Sequence, residues 1–245
     1  MNWNAKPNIE PENWQQLQNG EQYRQALRCA VQTWLDTQKP TVSRWLHLGA
    51  LSADLALDLA PAQKLLLAEK TFLNRPALLA QNAPSFLCIE GESQQMPFMD
   101  ESIDGAILLL SLNFSADPHA VLRETARVLK DDGYLILANL SAFSPLLLKS
   151  NLAEQTELSL SYQTFSPLRL QDWLKLLSFE IEQQQNLPTQ KGLRQFFAPL
   201  NLFIARKTSL PLTLQQQKER GKIQQFLNPA EALSQPIHST FEPHE

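Results

Sequence analysis

One stretch restricts this chain more than any other. From Ile103 to Leu110 it reads IDGAILLL, an almost unbroken apolar run, and a second apolar run follows from Tyr134 to Ala138. A strand without polar alternation is buried on both faces. Between the two runs, Asp117 offers an acceptor at a helix cap and Pro118 suits the first helical position. Val121, Leu122, Thr125, Val128 and Leu129 then mark one buried helical stripe. Gly133 is expected to take the left-handed turn that ends this helix. Strand, helix and strand in this order predict a parallel pair joined by a right-handed crossover.

The same alternation runs through residues 41–140. Trp45–Leu48, Lys64–Ala68 and Phe86–Ile89 read as strands. Ser52 is placed to cap a helix continuing through Leu59 and closed by Pro61, and Asn74–Leu79 reads as a second helix with Pro76 in its first turn. Later, Pro167–Leu177 reads as a helix with Leu170, Trp173, Leu174 and Leu177 on one side, and Phe179–Gln184 and Leu200–Ala205 as two final strands. The pattern is α/β, a mostly parallel central sheet with helices on both faces, and ligands of such sheets bind beyond the carboxyl ends of the strands.

Three regions follow: a helical extension over 1–40, a body over 41–207 and a polar tail over 208–245, expected to be disordered or loosely attached. In the extension, Tyr23, Leu27, Ala30, Val31 and Trp34 share a helical face that either covers an edge of the core or forms a lid. Phe143–Thr164 has the length of an insertion over the active face.

A net charge of −4 with dispersed Lys and Arg argues against duplex nucleic acid or an anionic membrane as the main partner. Ala106–Leu112, the longest apolar run, is too short to span a bilayer, and the first residues lack the apolar core of a signal peptide, so a cytoplasmic location is expected. Cys29 and Cys88 lack metal-ligand spacing; no metal site is predicted, and both thiols are expected to be buried. Seven glycines are few for a chain that cradles a cofactor in a glycine-rich loop.

GESQQMPF (91–98), MDESIDGAILLL (99–110), ADPHAVLRETARVLKDDGYLIL (116–137) and SPLRLQDWLKLLSFEI (166–181) resemble, in that order, blocks of the class I S-adenosylmethionine-dependent methyltransferases. GEQYRQAL near the start, paired with LHLGALSAD (46–54), is similar to an uncharacterised bacterial branch whose domain is of the methyltransferase type 11 kind. The resemblance covers Arg44 to Lys207. It implies the Rossmann-like seven-stranded methyltransferase fold, with the first and fourth strands side by side at its centre. It also implies S-adenosylmethionine as cofactor and a small-molecule methyl acceptor.

The resemblance further implies which residues meet the cofactor. Gly49 and Ala50 fall in the first loop, Glu69 ends the second strand where a carboxylate accepts from the ribose, and Glu92 stands where an acid accepts from the adenine amino group. Ser93 offers a backbone N–H to the ring, and Leu110 lines the transfer pocket at a frequently polar position. The first loop departs from the family pattern: His47 replaces an acid, Leu51 a glycine and Ala53 another. A Cβ at Leu51 makes positive φ costly and obstructs close approach to a ligand. No catalytic acid or base is identified. The competing reading is a non-catalytic relative, a binding or scaffolding module with weak or lost cofactor affinity. A nicotinamide-dependent reductase would need G-x-G-x-x-G after the first strand, which Gly49 alone does not supply.

Overall fold

The computed structural model describes residues 10–17, 19–68, 86–141, 162–187 and 199–208. The expected helix at Asn74–Leu79, nearly all of the expected insertion and the tail from 209 lie outside the described residues. Seven strands form one sheet: β1 (Arg44–Leu48), β2 (Gln63–Ala68), β3 (Phe86–Glu90), β4 (Ile103–Leu109), β5 (Leu129–Leu140), β6 (Phe179–Leu187) and β7 (Leu200–Lys207). Their order is β3-β2-β1-β4-β5-β7-β6. β1 pairs in parallel with β2 and β4, β2 with β3 and β4 with β5; β7 runs antiparallel to both β5 and β6. This is the Rossmann-like seven-stranded methyltransferase fold, with β1 beside β4 in the middle.

The buried strands separate two apolar layers. Trp45, Ile107 and Ile136 belong to one layer, whereas Leu46, Leu108 and Leu137, each one residue later, belong to the other. That is the two-residue alternation of a strand covered on both faces. The first layer takes in α1 (Gly20–Gln38), through Leu27, Val31 and Trp34, and the short 3-10 turn Trp14–Gln16. α1 stops at Lys39, whose left-handed conformation (φ 45°) lets its N–H reach the Leu35 carbonyl at 2.8 Å, just before Pro40. The second layer takes in two helices of the other face.

One of these is α4 (Pro118–Val128), which begins as expected: Asp117 Oδ1 accepts from the Ala120 N–H at 2.9 Å and Pro118 is the first helical residue. Val121, Leu122, Thr125 and Val128 are all buried. The other is α5 (Pro167–Leu176), which buries Leu170, Trp173 and Leu174. Two more helices are single turns, α2 (Ala50–Asp54) and α3 (Ser111–Phe114).

Three local expectations are corrected. α2 ends at Asp54 rather than Leu59, and Gly49, not Ser52, is its cap residue. Beyond it Ala56 is left-handed (φ 52°), and Leu55, Leu57 and Leu59 are buried while Ala56, Asp58 and Ala60 are exposed: an extended, period-two segment. The left-handed residue after α4 is Asp132 (φ 62°), not Gly133. Gly133 is needed for close approach instead, since a Cβ there would lie 2.8 Å from the Lys130 carbonyl oxygen. Cys29 and Cys88 are both exposed free thiols, not core residues.

Candidate functional site

Because β1 to β4 run parallel, the chain leaves all four at one edge of the sheet. After β1 comes Gly49, with φ 76° and ψ 172°, its N–H donating to the Leu67 carbonyl at 3.0 Å. A side chain cannot comfortably take this conformation. Nor is there room for one, because a Cβ on Gly49 would overlap the Glu10 carboxylate. Ala50, Leu51, Ser52 and Ala53 follow, all buried.

Leu51 does not behave as expected. It lies in α2 with no positive φ, and its side chain, wholly buried, joins the layer that holds Trp14, Leu55 and Ile107. Its Cβ therefore faces the core. Its carbonyl accepts from the Trp14 indole N–H at 3.1 Å, so the segment before α1 is pinned onto the first loop.

Two serines tie the exits of β1 and β4 together. The Leu109 N–H donates to Ser52 Oγ at 3.0 Å, and Ser111 Oγ donates to the Leu48 carbonyl at 3.1 Å. Between them Leu110 adopts φ 61°, ψ 1°. That left-handed conformation costs a branched side chain about 1–3 kcal/mol. It is held by full burial and by its N–H, which donates to the Ala138 carbonyl at 2.9 Å. Asn113, also fully buried, accepts from the Leu140 N–H at 3.0 Å and donates to the Gln163 carbonyl at 2.6 Å. Tyr162 comes edge-on to Phe114, with ring centroids 6.2 Å apart. On α1, burial raises the pKa of the Tyr23 hydroxyl, a hydrogen bond with Asn19 opposing.

His47 is 1% exposed. Its Nδ1 lies 2.9 Å from the Ser52 carbonyl oxygen, which can only accept, so Nδ1 carries the proton. Nε2 has no hydrogen-bond partner among the described residues, and the ring meets Phe86 edge-on. Desolvation pushes the His47 pKa down to about 4, with the Ser52 carbonyl pulling it up and the Lys64 charge pushing it further down. His47 is thus a neutral brace of the first loop.

The loop after β3 carries Glu92, exposed, and Ser93, half-buried. Gly91 N–H donates to the Ala68 carbonyl at 3.3 Å, and Glu92 bridges to Gln95. Further along, Arg127 of α4 donates to the Met96 and Phe98 carbonyls at 3.0 and 2.8 Å and pairs with Asp100 and Glu124. Hydrogen bonds from Arg127 hold the Glu124 carboxyl below its usual pKa, burial opposing.

Gly49, Ala50, Glu92, Ser93 and Leu110 therefore follow the exits of three strands at one edge. Glu69, one residue past β2, lies outside the described residues. Sequence reasoning missed Glu10, and it missed the distant partners of Ser52, Ser111 and Asn113. Two surface hollows lie elsewhere. One of about 390 Å³ runs between α1 and β6, and one of about 540 Å³ lies by Ala60–Lys64 and Phe86.

Residues 46–137, from β1 to the middle of β5, match the family described as Methyltransferase domain. Over these residues the chain is similar to a class I methyltransferase domain. The chain is 28% identical over 242 residues to the uncharacterized protein YafS of Escherichia coli K12, covering 93% of this chain and 95% of that one. Among solved structures it superposes on a Thermotoga maritima protein described as a S-adenosylmethionine-dependent methyltransferase, possibly a histamine N-methyltransferase. The TM-score is 0.58 at 19% identity over 77% of this chain and 90% of that one. The YcgJ protein of Bacillus subtilis gives 0.56 at 20% identity over 76% and 99%. The [4+2]-cyclase SpnF also gives 0.56, at 17% identity over 84% and 85%. These structural likenesses are likenesses of fold, and the cyclase among them illustrates that one fold carries more than one chemistry.

Proposed function

We propose that this protein binds S-adenosylmethionine at the carboxyl edge of its sheet and transfers the methyl group to a small molecule. The observation that carries the reading is the Gly49 turn. A positive-φ glycine follows a central strand, with no room for a Cβ, beside the strained Leu110 at the exit of the neighbouring strand. Strain of that kind is retained where the surroundings over-determine it, and functional edges are where it clusters.

The residues present fit the cofactor. In this reading Gly49 and Ala50 take its amino-acid end and Glu69 accepts from the ribose hydroxyls. Glu92 accepts from the adenine amino group, and the Ser93 N–H meets the ring. Bound there, the sulfonium supplies a methyl group whose displacement needs alignment and exclusion of water rather than a proton carrier. Leu109, Leu110, Leu112 and Phe114, all buried, make the exit of β4 dry. The layer of Leu109, Leu110 and Phe114 also contains Tyr23, with Tyr162 packed against it, which supports an acceptor with an apolar or aromatic body. No helix among the described residues is long and apolar enough to cross a membrane, and a cytoplasmic location is part of the proposal.

Calorimetric titration with S-adenosylmethionine and S-adenosylhomocysteine tests the reading. Both should bind, and Glu92→Ala should weaken both by about tenfold or more, the loss of one hydrogen bond to a charged group. Absence of binding by both nucleosides refutes it in favour of the non-catalytic alternative.

A further inference from the structure

The amino-acid end of S-adenosylmethionine is a zwitterion, and its ammonium group calls for an acceptor, best a charged one. β1 supplies none: its last two residues are His47 and Leu48, and His47 is buried, neutral and already bonded to Ser52. The carboxylate at this loop comes from elsewhere. Glu10, thirty-nine residues upstream of Gly49, lies against the open face of Gly49 with both oxygens close to where a Cβ would stand. Its Oε1 is shielded from solvent. The position is fixed by a second contact four residues on, where Trp14 is wholly buried and bonded to the Leu51 carbonyl. The segment is attached to the loop at Leu51 through Trp14, and four residues earlier it passes close over Gly49 with the Glu10 carboxylate.

We propose that Glu10 is the binding residue for the cofactor's α-ammonium group, a carboxylate brought to the Gly49 turn by the N-terminal segment. The inference rests on the cofactor reading above. It makes the segment before α1 part of the binding site and selects ligands that carry an ammonium group over those that lack it. The opposing possibility is that Glu10 fills the turn and repels the cofactor's own carboxylate.

The experiment compares S-adenosylhomocysteine with 5′-methylthioadenosine, which lacks the amino-acid end, by calorimetric titration of the full chain and of Glu10→Gln. Wild type should bind both. Glu10→Gln should weaken S-adenosylhomocysteine at least tenfold, about 1.4 kcal/mol, and leave 5′-methylthioadenosine unchanged, which also reports an intact fold. Unchanged or tighter binding of S-adenosylhomocysteine by the variant overturns the proposal, and tightening identifies Glu10 as an obstruction. Equal weakening of both ligands overturns it too, because Glu10 would then support the fold rather than the ammonium. If wild type binds neither ligand, the cofactor reading itself has failed; if wild type binds both and only the selectivity is unmoved, Glu10 alone has.

Discussion

His47 should make the stability of this protein fall on mild acidification, in a range where most carboxylates do not yet titrate. The perturbation is pH alone. In the folded chain the imidazole is fully buried and neutral, with its pKa depressed from 6.5 to about 4, chiefly by desolvation. Between those values the unfolded chain binds a proton that the folded chain does not, so stability rises with pH across the window. The contribution is fully present above about pH 6.5 and is lost as pH falls towards about pH 4. The whole shift corresponds to about 3 kcal/mol, of which about 2 kcal/mol is lost between pH 7 and pH 5. Most carboxylates hold their protons only below about pH 4.5, though burial raises the Asp54 carboxyl, so the contribution of His47 is read as the difference between wild type and a variant that cannot titrate at this position.

Urea unfolding at pH 7, 6 and 5 and constant ionic strength reads the effect as a falling midpoint at constant slope. The control is His47→Asn, which keeps an N–H donor near Nδ1 for the Ser52 carbonyl but does not titrate. The variant should be less stable throughout and should lose the pH dependence in this window. A wild-type midpoint that does not move between pH 7 and 5, or a variant that keeps the wild-type slope, would refute the assignment of a buried neutral imidazole.

Leu51→Gly should destabilise the fold by about 3–5 kcal/mol, the sum of a buried leucine lost and a glycine placed in a helix; a loss under about 1 kcal/mol in urea unfolding would show that the side chain is not in the core. Trp14→Phe should cost about 1–3 kcal/mol by leaving the Leu51 carbonyl without its indole donor. It should also raise amide exchange across Gly49–Asp54, and unchanged exchange there would contradict the pinning.

The sheet was legible because its strands are written as unbroken apolar runs between polar punctuation. β1 to β4 start and end close to where those runs do, and the Asp117-Pro118 start of α4 is a purely local signal; β5 begins at Leu129, five residues before its apolar run and at a residue expected in the helix. The errors came where two periods compete or where a partner is distant. LALDLA after α2 (55–60) continues a helical composition but alternates every second residue, and Ala56 in the left-handed region decides for an extended chain. Asp132 and Gly133 are neighbours; the aspartate takes the positive φ and the glycine yields space to two carbonyls. Glu10 sends no signal in one dimension, since a single carboxylate in a polar stretch has no period and its contact with Gly49 spans thirty-nine residues.

The first loop is the case where these levels meet. Read alone, HLGALSAD has lost the glycines that let a backbone bend freely around a ligand. In three dimensions the missing freedom is replaced by fixed attachments. His47 holds the Ser52 carbonyl, Ser52 accepts from Leu109, Ser111 reaches back to Leu48, and Trp14 holds Leu51. Leucine is compatible with such a loop because only one residue, Gly49, still needs positive φ. A loop fixed by side chains from β1, α2, α3 and one preceding segment is ordered before any ligand arrives. Pre-ordering of that kind lowers the entropy lost on binding. Substitution of the glycines therefore changes how the turn is held without by itself abolishing a turn that can bind.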